Sequence, residues 1–146
     1  IDAPWPYRNA YTRDEAELAR RYLAIEEVRF GARLQVQWDV DAKVLSARVP
    51  PLVLQPLVEN AVRHGIEPSL AGGLVQLRAY RQAGLAVVRV SNTLGDEPGH
   101  PGHGMALANV RERLRLLHDL AAQCDVWRDS SGGREWFHAQ ITLPMP

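Results

Sequence analysis

A chain of 146 residues with 46% hydrophobic content suits one globular domain and excludes a disordered chain. Its 17 basic and 17 acidic residues cancel, which argues against nucleic acid as the main partner, since phosphate-backbone binding shows as a basic excess. One cysteine, Cys124, excludes an intrachain disulfide and any multi-cysteine zinc site. No apolar run approaches the roughly 18 residues that span a bilayer, and no signal peptide is visible at the start. The expectation is a soluble chain in a reducing compartment, compatible with a piece of a larger membrane protein.

Residues 1–11 hold Pro4, Trp5, Pro6 and Tyr7 without a period and read as a linker or arm. The domain is expected over 12–146. Thr12 and Glu15 have capping-box spacing and open a helix that runs to about Phe30. Its expected apolar stripe is Leu18, Tyr22, Ile25 and Val28 or Arg29, and Gly31 ends it. Arg33 to Val40 alternates Leu34, Val36, Trp38 and Val40, as a strand does. Ala47 to Val49 adds a short extended piece.

Pro50 to Glu67 reads PPLVLQPLVENAVRHGIE. Leu54, Leu57, Val58, Ala61 and Val62 follow the spacing of a helix that buries one face. Glu59 and Arg63 are four apart, as are Asn60 and His64, so the expected polar side carries a carboxylate, a carboxamide, a guanidinium and an imidazole. The bland alternative is a solvated surface. Pro56 implies a kink or the start of the regular part. Gly65 is expected to stop the helix through a left-handed conformation.

Pro68 to Gly73 reads as a turn. Leu74 to Arg81 and Leu85 to Ser91 read as strands joined at Ala83-Gly84. Asn92 to Gly104 (NTLGDEPGHPGHG) is too rich in glycine and proline for a regular element, and long loops in compact domains are often lids. Met105 to Asp119 reads as a second strong helix, with Leu107, Val110, Leu114 and Leu117 inward. Ala122 to Arg128 and Trp136 to Leu143 form a terminal hairpin around Ser130-Ser131-Gly132-Gly133. Short hairpins between strands imply an α/β two-layer sandwich, its mixed, mostly antiparallel sheet covered on one face by helices.

Nucleophile and metal readings are weak. No serine lies in a nucleophile elbow, and His100 and His103 lack further zinc ligands nearby. A Walker loop is excluded because the only lysine, Lys43, is followed by Val44. Gly102-His103-Gly104, leading directly into a helix, is a better phosphate device: glycines let free N–H groups at a helix start approach an anion. Alone it is more often a flexible turn. Here it follows a lid-like loop and a helix whose Asn60 carboxamide oxygen could ligate magnesium.

LVENAVRHG resembles the N-box of the GHKL ATP-binding fold, shared by histidine kinases and gyrase B. GHGMALANVRERL resembles its second glycine box and the helix after it. RRYLAIEEVRFGARLQV and PPLVLQPLVENAVRHGIEP are similar to the LytS/YehU-type sensor histidine kinases, among them sensors related to alginate regulators. The resemblance covers about Asp14 to Pro144.

It implies a Bergerat-type sandwich with ATP between the N-box helix and a lid. Asn60 would ligate Mg²⁺ bridging the phosphates, and Glu59 would be the catalytic acidic residue that orients or deprotonates the acceptor. Arg63 and His64 would approach phosphates or ribose. Gly102 and Gly104 would wrap the triphosphate at the lid's end, Asn109 would face it, and His103, Met105, Ala106 and Leu107 would belong to the same ATP site. Asn92 stands where many relatives carry the Asp that binds adenine, Leu94 where a glycine is usual, and Ala106 where the second box often has glycine. The family's acceptor motif, like NPHFLFN, is absent from this chain.

The implied function is therefore the ATP-binding catalytic domain of a two-component histidine kinase. Its implied partners are ATP, the phosphoacceptor and dimerisation helices of the same protein and a response regulator. Its implied place is the cytoplasmic side of an inner-membrane sensor. Two alternatives are a nucleotide-free interaction module and a freestanding serine kinase of the anti-sigma type; the YLAIEEVRF stretch disfavours the second.

Overall fold

The computed structural model describes residues 10–49, 53–95 and 123–145. In chain order they form β1 (Ala10–Tyr11), α1 (Thr12–Phe30), β2 (Leu34–Val40), β3 (Arg48–Val49), α2 (Leu54–Gly65), β4 (Gly73–Gln82), β5 (Leu85–Leu94), β6 (Gln123–Ser131) and β7 (Arg134–Pro144). β1 and β3 pair as a small antiparallel ribbon, so Ala10 and Tyr11 belong to the fold rather than to an arm. The other five strands form one sheet in the order β2-β4-β5-β7-β6. β2 pairs with β4 in parallel, and the remaining pairs are antiparallel.

Both described hairpins follow from their turn residues. Ala83 and Gly84 adopt positive φ of 51° and 80°, and Gly132 and Gly133 of 61° and 77°. Two consecutive residues of that kind match the right-handed twist of the strands they join. Alternation then sorts the faces. Val75, Leu77 and Ala79 of β4 and Val88 and Val90 of β5 are buried in the core with Ala139 and Ile141 of β7. The helices supply Ala19 and Leu23 from α1 and Leu57, Val58, Ala61 and Val62 from α2. Burying a side chain such as Leu57 stabilises by about 1.5–3 kcal/mol, which is why α2 stays seated. Pro56 causes no break, because it lies in the first turn, where backbone N–H groups have no helical partner.

α1 departs from its expected packing. Its inward residues are Thr12, Glu15, Ala19, Leu23 and Glu26. Leu18 is 38% exposed, Ile25 68% and Val28 87%, so of the expected apolar stripe only Tyr22 packs against the core. The capping box also does not form. Thr12 Oγ1 donates to the Ala47 carbonyl at 3.0 Å, and Glu15 Oε1 accepts from the Leu54 N–H at 3.2 Å. Both side chains are used across the fold rather than on their own helix. Gly31 does end α1, at φ 59°, with its N–H bonded to the Glu27 carbonyl.

Candidate functional site

α2 is fastened at both ends. At its start the buried Glu15 carboxylate takes the Leu54 N–H, an otherwise free donor at the positive end of the helix. At its end the Arg33 guanidinium donates to the carbonyls of Ile66 at 3.2 Å and Ser69 at 2.9 Å. Neither residue was visible as functional in the sequence, because each acts on a segment more than thirty residues away.

The four polar residues of α2 do not share one face. Glu59 and Arg63 are exposed, whereas Asn60 and His64 are buried. Successive helical residues are about 100° apart, so the two i, i+4 pairs occupy different flanks. Glu59 Oε1 accepts from Gln55 Nε2 at 3.2 Å, one turn earlier. The site therefore has an outward carboxylate and guanidinium, and an inward carboxamide and imidazole.

Gly65 is the last residue of α2, and the helix is capped by Ile66 in the right-handed region. The expected left-handed stop is absent. Glycine is needed there for closeness: a Cβ on residue 65 would lie 2.6 Å from Asn92 Nδ2 and 2.8 Å from the Thr93 carbonyl oxygen. Asn92 is 1% exposed, and its Nδ2 donates to that same carbonyl at 3.1 Å. Thr93 Oγ1 accepts from the Leu74 N–H at 3.0 Å. Asn92, Thr93 and Leu94 are thus the end of β5, not the start of the loop. The rest of the expected lid, with Gly102, His103, Gly104, Met105, Ala106, Leu107 and Asn109, lies outside the described residues.

Tyr22 of α1 stands beside the same helix. Its hydroxyl is pushed up to about 12 by burial first, then by the carboxylates of Glu26, Glu59 and Glu67, against the opposing effect of Arg29. It remains neutral at any physiological pH. Arg29 links Glu26 at 3.3 Å and Glu67 at 3.4 Å, tying α1 to the chain just after α2.

Between β5, β7 and β6, Ser91 Oγ lies 2.6 Å from His138 Nδ1, and His138 Nε2 lies 2.9 Å from Asp129 Oδ1. The imidazole stacks on Trp127 and Trp136. This chain of contacts does not make a hydrolase. Ser91 is 1% exposed, and it sits mid-strand between β4 and β7, whose ladders take the backbone N–H groups an oxyanion would need.

No protein-family model matches the chain. It is 34% identical over 136 residues to the sensor histidine kinase BtsS of Escherichia coli (strain K12), covering 91% of this chain and 23% of that protein. The chain belongs to the catalytic domains of the LytS/YehU-type sensor histidine kinases. This LytS-type domain is also 30% identical over 145 residues to the sensor protein LytS of Staphylococcus saprophyticus, covering 90% of this chain and 24% of that one. It spans less than a quarter of either relative. Among solved structures, the catalytic domain of histidine kinase ThkA superposes with a TM-score of 0.62 at 16% identity, covering 93% of this chain and 97% of that one. ThkA in complex with response regulator protein TrrA gives 0.56 at 16% identity, covering 92% and 41%. These likenesses establish the GHKL fold, the two-layer sandwich expected from the sequence.

Proposed function

We propose that this domain binds Mg-ATP and presents it for phosphoryl transfer to a histidine outside the chain. The observation that carries the reading is the Gly65–Asn92 contact. It joins the helix bearing Asn60 and His64 to the strand end bearing Asn92, the residue that would read adenine. Among the described residues, no three His, Cys, Asp or Glu side chains come together to hold a metal. The Asn60 carboxamide oxygen would be one oxygen ligand for magnesium, which takes few protein ligands and completes its shell with phosphates and water. When bound, magnesium neutralises charge on the phosphates.

The remaining work falls to the chain's own residues, since phosphoryl transfer depends on positioning and electrostatics. Glu59, outward and held by Gln55, receives or orients the imidazole N–H of the acceptor. Arg63, outward one turn on, offers a cation to phosphate oxygens. His64 and Asn92 shape the buried side. The complex of ThkA with TrrA supports a response regulator as the downstream partner. The relatives are sensor proteins, which supports a cytoplasmic domain of a membrane sensor. Among the described residues, no helix is long and apolar enough to cross a membrane.

Calorimetric titration with ATP, with and without Mg²⁺, tests the reading. One site whose affinity rises with magnesium is expected. No binding under either condition would overturn it and favour the nucleotide-free interaction module. The observation favouring that second reading is the Asn92 carboxamide, which is buried and already bonded to Thr93.

A further inference from the structure

The turn 66–72, between α2 and β4, is wrapped around one side chain. Arg33 ends the short helical turn that links α1 to β2. Its Nη2 donates to three backbone carbonyls: Ile66 at 3.2 Å, Glu67 at 3.4 Å and Ser69 at 2.9 Å. Among the described residues its Nε is buried without an acceptor, so the recorded bonding falls on Nη2. Folds keep few unsatisfied buried donors, and here the donor belongs to a cation set where the carbonyls past a helix end carry partial negative charge. The backbone closes on the same residue. Gly72 has φ 84°, and a Cβ there would lie 2.3 Å from the Arg33 carbonyl oxygen. Inside the turn, the Gly72 N–H donates to the Ser69 carbonyl at 3.0 Å, and Ser69 Oγ donates to the Gly72 carbonyl at 3.0 Å.

Both ends of this turn rest on the end of β5. Gly65, just before it, is the residue that meets Asn92. Gly73, just after it, has no room for a side chain, since a Cβ would lie 2.5 Å from Thr93 Oγ1. Ser69 touches the next residue along: a Cβ on Gly95 would lie 3.4 Å from its Oγ. The recorded bonds of Arg33 go to the turn rather than to Asn92, so its effect on the site passes through the turn.

We propose that Arg33 is a positioning residue for the nucleotide: through the turn 66–72 it keeps Gly65 and Gly73 against Asn92 and Thr93, and so sets the Asn92 carboxamide for the adenine base. The proposal rests on the function proposed above, with Asn92 as the adenine reader. The affinity of a site falls with the fraction of molecules that hold it formed. Without Nη2, three carbonyls lose a charged donor and the turn samples other arrangements. The loss strikes the adenine end. ATP and ADP share that end, so both weaken alike, and the magnesium dependence, which belongs to Asn60 and the phosphates, is kept. Because one nitrogen makes all three bonds, a lysine ammonium, with its charge and three N–H donors, can replace it.

The test compares Arg33→Met, Arg33→Lys and, as a control that trims the sheet core opposite Val88, Ile141→Val. Affinities for Mg-ATP and Mg-ADP are read by calorimetry, stability by urea unfolding, and the Asn92 side-chain amide signal by NMR of the empty protein. Arg33→Met is expected to weaken ATP and ADP by the same factor, at least about fivefold, and to move the Asn92 signal. Arg33→Lys should stay within about twofold of wild type and restore the signal. Ile141→Val should lose stability and keep its nucleotide affinity. Wild-type affinity in a folded Arg33→Met protein would overturn the proposal, as would a loss confined to ATP or an unmoved Asn92 signal. Equal losses in Arg33→Met and Arg33→Lys, or an equal loss in Ile141→Val, would overturn it too. If Arg33→Met does not fold, Ser69→Ala decides, because it loosens the same turn at the Gly72 carbonyl. It should weaken ATP and ADP alike, and wild-type affinity there would overturn the proposal. Absence of binding in the wild-type chain would instead remove the proposed function, and the Asn92 signal of the empty protein would still show whether Arg33 sets that side chain.

Discussion

Gly65 and Asn92 are in contact across the two layers, where the last residue of α2 meets the final residues of β5. A methyl group at residue 65 meets the Thr93 backbone carbonyl as well as the Asn92 side chain, so a rotamer change alone cannot accommodate it. Gly65→Ala is expected to cost about 1–3 kcal/mol, the usual range for overpacking. Denaturant unfolding reads the loss. Nucleotide affinity should fall as well, because α2 must lift from the strand that carries Asn92.

Asn60→Ala should weaken Mg-ATP binding at least tenfold, or about 1.4 kcal/mol. The carboxamide is buried on the inner flank of α2, so the helical signal in circular dichroism has to be followed alongside the titration. An unchanged affinity in a folded Asn60→Ala protein would remove the metal-ligand role. Affinity for ATP without magnesium should change less than affinity with it.

Glu15 acts as a remote cap. Glu15→Ala leaves the Leu54 N–H without its acceptor at the start of α2, an expected loss of ~1–3 kcal/mol. Glu15→Gln keeps an acceptor oxygen and should lose less. Equal loss in the two variants, measured by urea unfolding, would show that the hydrogen bond to Leu54 is not what matters.

The Tyr22 hydroxyl titrates at about 12 in the folded chain against 10.0 for an ordinary tyrosine. The folded state therefore holds this proton more tightly than the unfolded state does. The resulting stability is fully present below pH 10 and is lost as pH rises through 12. Tyr22→Phe should flatten that part of the alkaline stability curve. Ultraviolet absorbance of tyrosinate should also show one tyrosine fewer among those that ionise late.

The chain alone should bind ATP and yet acquire no stable phosphohistidine, because the acceptor motif and the helices that would hold it are absent from its sequence. Incubation with γ-labelled ATP checks this. Label on His64 or His138 would place the acceptor inside the chain. Adding a fragment with the acceptor motif should restore slow transfer, since positioning then requires a bimolecular encounter.

The elements whose signals are local were legible in the sequence. Ala83-Gly84 and Gly132-Gly133 announce hairpins, and the Leu57, Val58, Ala61 and Val62 pattern announces α2. The face of α1 was not legible. Its buried positions include Thr12, Glu15 and Glu26, whose burial is matched by Ala47, Leu54 and Arg29, and periodicity of apolar residues cannot register such partners. The same limit explains Gly65. A glycine at a helix end reads as a stop, whereas its role is set by Asn92, far along the chain on β5. For the site, the family resemblance nominated Glu59, Asn60 and Asn92. Which of them face solvent depended on the layer packed beneath them.

The parallel pairing of β2 with β4 bears on how the site is assembled. Partners such as Gln37 and Gln76 are 39 positions apart, with all of α2 looped out between them. The β4–β5 and β6–β7 hairpins close over two residues each and can form early, because little chain entropy opposes them. Closing β2 onto β4 comes at a larger entropic cost and traps α2 against the sheet as it does so. A chain that has zipped its hairpins but not this one strand is already largely sheet, yet the crossover that carries α2 is still open. Such a species would count as folded by secondary structure while the segment bearing Glu59 and Asn60 is still unplaced.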